Sequence, residues 1–321
     1  MRSTPRYWTI WRDKLKLHLD CDTGIDDALA ILYLAKTSVE LMSVSAVHGN
    51  VSVSQAASNC QYVLGLAGYT DVPVRIGAAR PLVEEPHYAA SVHGEDGLAG
   101  IGPDLQEDIP TDAIDHLIDL ARAHRGNIAL LATGPLTNLA LAVMQAPDIA
   151  DAFSKVVVMG GAIAAPGNKS ITAEANILHD PEAAEIVLSR YTNVHLIGLD
   201  VTTTAYLTEA HIAQLQQRPN NPIAAFSASI LTHYLGFYRS MGLPGCALHD
   251  PMAAMAVTEP GLFGFHDLLV QVELSGKLTR GMTVAERRPF HIANSKRPRV
   301  KAALAVQTTE VVDRMMAALL D

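Results

Sequence analysis

With 321 residues, 49% of them hydrophobic and 18% charged, the chain has the composition of a globular protein with a large buried core, not of a disordered one. A net charge of -9 and a pI near 5.8 argue against a nucleic-acid or anionic-membrane surface, and the one basic run, Arg287-Arg288 to Arg299, is short enough to be a solvated face. Three cysteines, Cys21, Cys60 and Cys246, odd in number and widely spaced, suit reduced buried thiols in a cytoplasmic protein better than a disulfide frame.

In chain order, residues 1–14 carry aromatics and arginines in no period and are expected to form a poorly ordered extension before a single domain over 15–321. No apolar run is long enough to span a membrane, and the N-terminus lacks the apolar core of a signal peptide. A first strand, beginning at Leu17, ends in Asp20-Cys21-Asp22-Thr23-Gly24-Ile25-Asp26-Asp27 and runs into an apolar helix over 27–36. A strand over 40–47 ends in His48-Gly49-Asn50, and a helix over 54–68 follows. A short strand at 72–76 precedes a Gly/His/acid-rich segment, 81–103, that holds His93-Gly94-Glu95-Asp96-Gly97; a loop of that length in a compact domain is usually functional.

Beyond it come a helix over 111–125 and a fully apolar strand at 127–132, followed by Thr133-Gly134-Pro135-Leu136-Thr137-Asn138 and a helix to Met144. A strand at 156–159 ends in Gly160-Gly161, a polar loop spans 167–176, and a helix covers 181–189. Then follow a strand at 193–199, helices at 209–217, 223–238 and 253–257, late strands at 268–274 and 300–306, and a closing helix at 309–320. This βαβα order and the continuous apolar strands predict an α/β fold with a mostly parallel, doubly wound sheet and helices on both faces. In such folds ligands sit outside the carboxyl ends of the strands, where Asp20/Asp22, His48-Gly49-Asn50, Thr133-Gly134 and Gly160-Gly161 all fall.

Four carboxylates within eight residues repel one another and resist desolvation, so a fold that gathers them needs a cation, bound protons or open water. An oxygen-only donor set points to a hard ion such as calcium or magnesium. The bland alternative is that Asp26 or Asp27 caps the following helix. Asn168, Glu174 and Asn176 form a hydrogen-bonding set suited to a polyol, although Asn-rich loops are common. His249-Asp250 stands just before an apolar stretch as either a catalytic pair or an N-cap with its neighbour. Tyr234 and Tyr238, one helical turn apart, are either a stacking surface for a flat ring or core aromatics.

Taken together in this order, from about Lys16 to the C-terminus, these motifs resemble the inosine-uridine preferring nucleoside hydrolase family. The resemblance implies hydrolysis of the N-glycosidic bond of ribonucleosides such as inosine, uridine and cytidine, with inversion at C1′ and a bound Ca²⁺. It assigns Asp22, Asp27, the Thr133 carbonyl and Asp250 to the metal, and Asp22 also to activation of the attacking water. Asp26, Asn50, Asn168, Glu174 and Asn176 would grip the ribose hydroxyls, His249 would protonate the leaving base, and His93, Tyr234 and Tyr238 would line the base pocket. Asp20 would orient the loop from behind. Relatives of this kind are often homodimers or homotetramers.

The family usually has proline where Thr23 stands, and threonine does not pre-set the turn. A histidine in His249-Asp250, with Tyr234 and Tyr238 upstream, resembles the broad or pyrimidine-accepting branch; the only tryptophans, Trp8 and Trp11, lie in the extension. Two rival readings are a haloacid-dehalogenase-type phosphohydrolase and a non-catalytic calcium or nucleoside binding protein. The first has Gly24 against it, at a position where that motif has threonine or valine. The second would be expected to lack Asp22 or His249, and the chain has both.

Overall fold

The computed structural model describes residues 14–321; the expected N-terminal extension, but for Lys14, and both tryptophans lie outside the described residues. The chain begins β1 (Lys16–Cys21), α1 (Ile25–Leu34), β2 (Glu40–Ala46), α2 (Val53–Leu66), β3 (Val74–Ile76), α3 (Ala90–His93), α4 (Ala113–Ala123), β4 (Ile128–Ala132) and α5 (Thr137–Gln145). It continues with β5 (Lys155–Met159), α6 (Ala175–His179), α7 (Pro181–Arg190), β6 (Val194–Ile197), α8 (Leu199–Thr202), β7 (Tyr206–Leu207), α9 (Glu209–Gln216) and α10 (Pro222–Ser240). Last come β8 (Cys246–Ala247), α11 (His249–Thr258), β9 (Phe263–Val272), β10 (Thr283–Glu286), α12 (Pro289–Asn294), β11 (Val300–Val306) and α13 (Thr308–Leu320).

Nine strands form one sheet in the order β10-β9-β11-β6-β5-β4-β1-β2-β3; β7 and β8 pair separately as a short antiparallel ribbon. Within the large sheet every pair is parallel except β9 with β11 and β10 with β9. The alternation of side chains along a strand explains how both faces are covered. On β4, Ala129 and Leu131 point to a core shared with α1, α2, α10, α11 and α13, whereas Ile128, Leu130 and Ala132 point to a second core under α4, α5 and α7. The strand is buried on both sides, which is why it carries no polar alternation.

The winding reverses between β1 and β4: from β1 the chain builds outward to β2 and β3, then returns to the other side of β1 to continue through β4, β5 and β6. That reversal opens a crevice at the carboxyl ends of β1 and β4, the place where doubly wound sheets bind ligands. Asp22 and Thr133 stand at its two lips.

Some expectations need correction. The strand expected at 193–199 stops at Ile197, because Gly198 passes so near the preceding crossover that a Cβ there would lie 2.6 Å from the Gly161 carbonyl; the chain turns into α8 instead. The helix expected at 253–257 begins at His249, so His249 and Asp250 sit in its first turn. The strand expected at 268–274 begins at Phe263, runs antiparallel, and pairs with β10, a strand not anticipated from the sequence. The 81–103 segment contains a single helical turn, α3, that presents His93.

Candidate active site

The site is assembled from four separate strand ends. β1 carries the chain to Asp22, whose Oδ2 accepts a hydrogen bond from the Asn50 backbone N–H at 2.7 Å. Two glycines allow this packing: a Cβ on Gly49 would collide with the same oxygen, and one on Gly134 would sit 3.0 Å from Asp22 Oδ1. Asp27, the third residue of α1, accepts from the Gly24 N–H at 2.9 Å, from Thr133 Oγ1 at 2.7 Å and from Asn50 Nδ2 at 3.3 Å. The helix-cap reading of this residue therefore holds, yet its second oxygen faces Thr133, across the crevice. Asp250 is not a cap; Leu248 precedes the helix, and no side chain caps it.

Oxygens of Asp26, Asp27 and Asp250 lie within 4.8 Å of one another, with all three residues buried. Asp22 is the fourth carboxylate of this group, close enough to feel the charges of Asp27 and Asp26. Among the described residues, Asp22 Oδ1 and Asp26 Oδ1 are buried with no hydrogen-bond partner. Burial, reinforced by neighbouring carboxylates, pushes Asp22 and Asp250 well above the usual carboxylate range; burial first also lifts Asp26 to about 6 and Asp27 to about 7. Buried like charges with unspent oxygens are what a divalent cation neutralises, so the donor set fits a hard ion.

Asp20 projects to the face of β1 opposite Leu19 and Cys21. It accepts from Ser45 Oγ and from Asn138 Nδ2 at 2.8 Å, while its backbone carbonyl accepts from the Thr133 N–H at 2.9 Å. It thereby fixes the β1 and β4 ends against each other behind the site. Thr23 is fully buried, and its carbonyl accepts from Asn59 Nδ2 at 3.0 Å. A side-chain tether thus holds the turn where a proline would have stiffened it.

Opposite the carboxylates, the 167–176 loop is organised by its own polar residues. Glu174 caps α6, its carboxylate accepting from the N–H groups of Asn176 at 2.9 Å, Ile177 at 3.1 Å and Gly161 at 3.0 Å. Burial nevertheless raises Glu174 to about 7. Asn168 Oδ1 accepts from the Ala175 N–H at 3.0 Å. Asn176 Nδ2 donates to the Thr133 carbonyl at 2.7 Å, which aims that carbonyl and leaves it a second lone pair. His93 Nδ1 accepts from the Ile25 N–H at 3.1 Å and lies 3.9 Å from Asp26 Oδ1; burial lowers it to about 3, so it is neutral there.

A one-way chain of hydrogen bonds leads from Asp26 to α8. Tyr234 donates to Asp26 Oδ2 at 3.4 Å, and Tyr238 donates to the Tyr234 oxygen at 3.3 Å. Both phenolic protons are then spent, so at 2.9 Å His249 Nε2–H donates to Tyr238, and at 2.8 Å Thr202 Oγ1–H donates to His249 Nδ1. His249 is neutral, lowered by burial to about 4. The tyrosine rings meet edge-on, centroids 4.8 Å apart at 79°, so they form no shared flat platform, and both line the same cavity.

These residues line one cavity of about 450 Å³. It includes Asp26, Asn50, His93, Thr133, Asn168, Glu174, Asn176, Tyr234, Tyr238, His249 and Asp250; Asp22 and Asp27, expected among the site residues, are not in its lining. Sequence reasoning missed Thr202, Leu199, Phe237, Met241, Leu243 and His179. The apolar ones carry no pattern that separates a pocket wall from a core. Thr202 was visible only as one of several threonines after a strand.

The family described as inosine-uridine preferring nucleoside hydrolase matches residues 17–313. The chain belongs to that family. It is 38% identical over 279 residues to an inosine-uridine preferring nucleoside hydrolase from Crithidia fasciculata, covering 85% of this chain and 88% of that protein. A pyrimidine-specific ribonucleoside hydrolase from Klebsiella pneumoniae is 35% identical over 306 residues, covering 93% and 96%. Among solved structures, a purine-preferring ribonucleoside hydrolase from Gardnerella vaginalis superposes with a TM-score of 0.87 at 32% identity, over 95% of this chain and 98% of that one. The chain is accordingly an enzyme of N-glycosidic bond hydrolysis acting on ribonucleosides, and the nucleoside hydrolase fold expected from the motifs is the one observed. No helix among the described residues is long and apolar enough to cross a membrane.

Proposed function

We propose that this nucleoside hydrolase cleaves both purine and pyrimidine ribonucleosides, using a Ca²⁺ ion held by Asp22, Asp27, Asp250 and the Thr133 carbonyl. The observation that carries this reading is the convergence, in one cavity, of buried carboxylates with unspent oxygens and a wall bearing a neutral histidine. Four mutually repelling acids fit a divalent ion, and their all-oxygen set favours a hard one. When bound, such an ion lowers the pKa of a water and orients it for attack.

The chain's own groups supply the rest. Asp22, with Oδ1 free and Oδ2 fixed by the Asn50 N–H, is placed to accept the proton of the attacking water. Cleavage of a ribosyl C–N bond builds positive charge on the sugar, which the buried carboxylates favour electrostatically. Asp26, Asn50, Asn168, Glu174 and Asn176 surround the ribose hydroxyls. Attack opposite the base gives inversion at C1′.

The departing base develops negative charge beside His249. That charge favours the imidazolium over the neutral ring that burial otherwise maintains, so the histidine would take up a second proton from water and pass that proton to the base, with Thr202 and Tyr238 fixing the ring on either side. The base wall is built chiefly from Leu199, Phe237, Met241 and Leu243, beside His93, Tyr238 and His249. Apolar contact discriminates weakly between ring systems, which supports a broad base range.

Three buried free thiols fit a reducing, cytoplasmic setting, and a homodimer or homotetramer completes the proposal. The test is ribose release from inosine, uridine and cytidine, with and without Ca²⁺, by the parent and Asp22→Ala. Release that needs no phosphate, and is lost with either the ion or Asp22, is the expected result. A purine-only profile would refute the base range, and release unaffected by chelation would refute the metal.

A further inference from the structure

The 167–176 loop brings Asn168, Glu174 and Asn176 to the cavity, so its shape depends on how its two roots are held. Glu174 holds the far root, its carboxylate taking the N–H groups of Gly161, Asn176 and Ile177. Between the roots the chain closes on itself: the Gly167 N–H donates to the Ile171 carbonyl at 3.3 Å and the Lys169 N–H to the Ala173 carbonyl at 3.2 Å. Those bonds make the turn one unit, placed by whatever holds residues 163–166 before it.

The near root is held from another element. Asp200, the second residue of α8, accepts from the Ile163 N–H at 2.8 Å with Oδ2, and from the Ala164 and Ala165 N–H groups at 2.7 and 3.0 Å with Oδ1. Three successive backbone donors thus converge on one carboxylate, a cradle suited to an anion. An acid in the first turn of a helix ordinarily serves that helix's own N–H groups, but α8 has four residues and Asp200 turns both oxygens to the crossover. The Leu199 N–H donates to the Gly161 carbonyl at 2.8 Å, a second tie between root and helix. Pro166, with its fixed φ, then leads into Gly167 and Asn168. Asp200 is not in the cavity lining, whereas Pro166, Gly167 and Asn168 are.

We propose that Asp200 is a positioning residue for the sugar: by gathering the 163–165 N–H groups it sets Asn168 against the ribose hydroxyls. The assignment rests on the hydrolase reading above, in which Asn168 binds the ribose.

The test measures kcat and KM for inosine and p-nitrophenyl riboside in the Ca²⁺-loaded parent, Asp200→Ala, Asp200→Asn, Asn168→Ala and the Asp200→Ala/Asn168→Ala double variant. Asp200→Ala should raise KM by roughly tenfold on both substrates with kcat little changed, the value of one hydrogen bond to the sugar. Asn keeps one oxygen for Ala164 and Ala165, so its KM should fall between parent and Ala. In the Asn168→Ala background, Asp200→Ala should add almost nothing, because both changes remove the same contact. A fall in kcat at unchanged KM, the mark of a merely structural role, overturns the assignment; so does a loss confined to inosine, or two losses that simply add. If Asp200→Ala does not fold, an unchanged KM in Asp200→Asn overturns it, and a raised KM on both substrates supports it. Failure of the parent to release ribose from any nucleoside would instead overturn the hydrolase reading itself.

Discussion

Removing the cation should expose the cost of gathering the carboxylates, and the cost should grow with pH. Asp26 illustrates the magnitude: burial lifts its carboxyl from 3.8 to about 6, close to two pH units, worth about 3 kcal/mol. The sign follows from proton counting. A group whose folded pKa is raised binds more protons folded than unfolded between the two values, so its stabilisation is complete below 3.8 and is lost as pH rises through about 6. Asp27, lifted to about 7, extends the window upward. In the metal-free protein these carboxyls therefore favour folding at pH 4.5 and oppose it at pH 7.5. Added Ca²⁺ has to displace their protons at the lower pH and meets them already ionised at the higher one. The difference in melting temperature with and without excess Ca²⁺ should thus widen from pH 5 to pH 7.5, by roughly 3 °C from Asp26 alone, since about 1.4 kcal/mol of its loss falls between pH 5 and about 6 at ~2 °C per kcal/mol, and by more as Asp27 adds to it. Taking the difference cancels every titrating group remote from the site. Differential scanning calorimetry checks it, and titration in two buffers of different ionisation enthalpy counts the protons released. A gain that is flat with pH, or greatest at pH 5, would refute the view that the ion sits among these carboxyls.

The remaining predictions concern single residues. His249→Ala should lower kcat/KM for inosine by roughly 10²–10⁴, while hardly affecting p-nitrophenyl riboside, whose leaving group needs no proton; equal losses on both would place the histidine outside leaving-group chemistry. Thr202→Val removes the donor to His249 Nδ1 and should cost roughly tenfold on inosine, with Thr202→Ser restoring most of it in steady-state assays. Gly134→Ala drives a methyl to 3.0 Å from Asp22 Oδ1; it should weaken Ca²⁺ binding by more than tenfold in titration calorimetry while the far-ultraviolet dichroism stays that of the parent.

The fold was legible because its main signal is local. Apolar runs such as 128–132 between helical patterns specify parallel strands, and the carboxyl-end motifs mark the crevice without any coordinates. What was not legible depended on distant contacts. Strand β10 holds four residues with no apolar run, and it exists through pairing with β9; Thr283 Oγ1 then donates to the Ala162 carbonyl at 2.9 Å. The end of β6 is set by the approach of Gly198 to Gly161, 37 residues earlier in the chain. Asp22, Asp26 and Asp27 could be singled out because like charges crowded in sequence demand a reason. Thr202 could not, since an isolated threonine acquires meaning only from what it bonds, here His249 Nδ1.

The hydrogen-bond chain from Thr202 to Asp26 joins the two ends of the reaction. One terminus fixes the ring of the histidine proposed to protonate the base, and the other ends on Asp26, proposed to hold the sugar. Any change in the charge on Asp26 alters the hydrogen bond from Tyr234, and through Tyr238 the proton held on His249 Nε2. Neutralising the carboxylate cluster weakens Asp26 as an acceptor and loosens the tyrosine pair; a fully ionised Asp26 draws every proton of the chain toward itself. The ionisation that readies the carboxylates for a cation is thus the same one that orders the histidine. The proposed Ca²⁺ site and the proposed leaving-group acid should accordingly respond together to substitutions of Tyr234, whose hydrogen bond to the carboxylate cluster goes to Asp26 Oδ2.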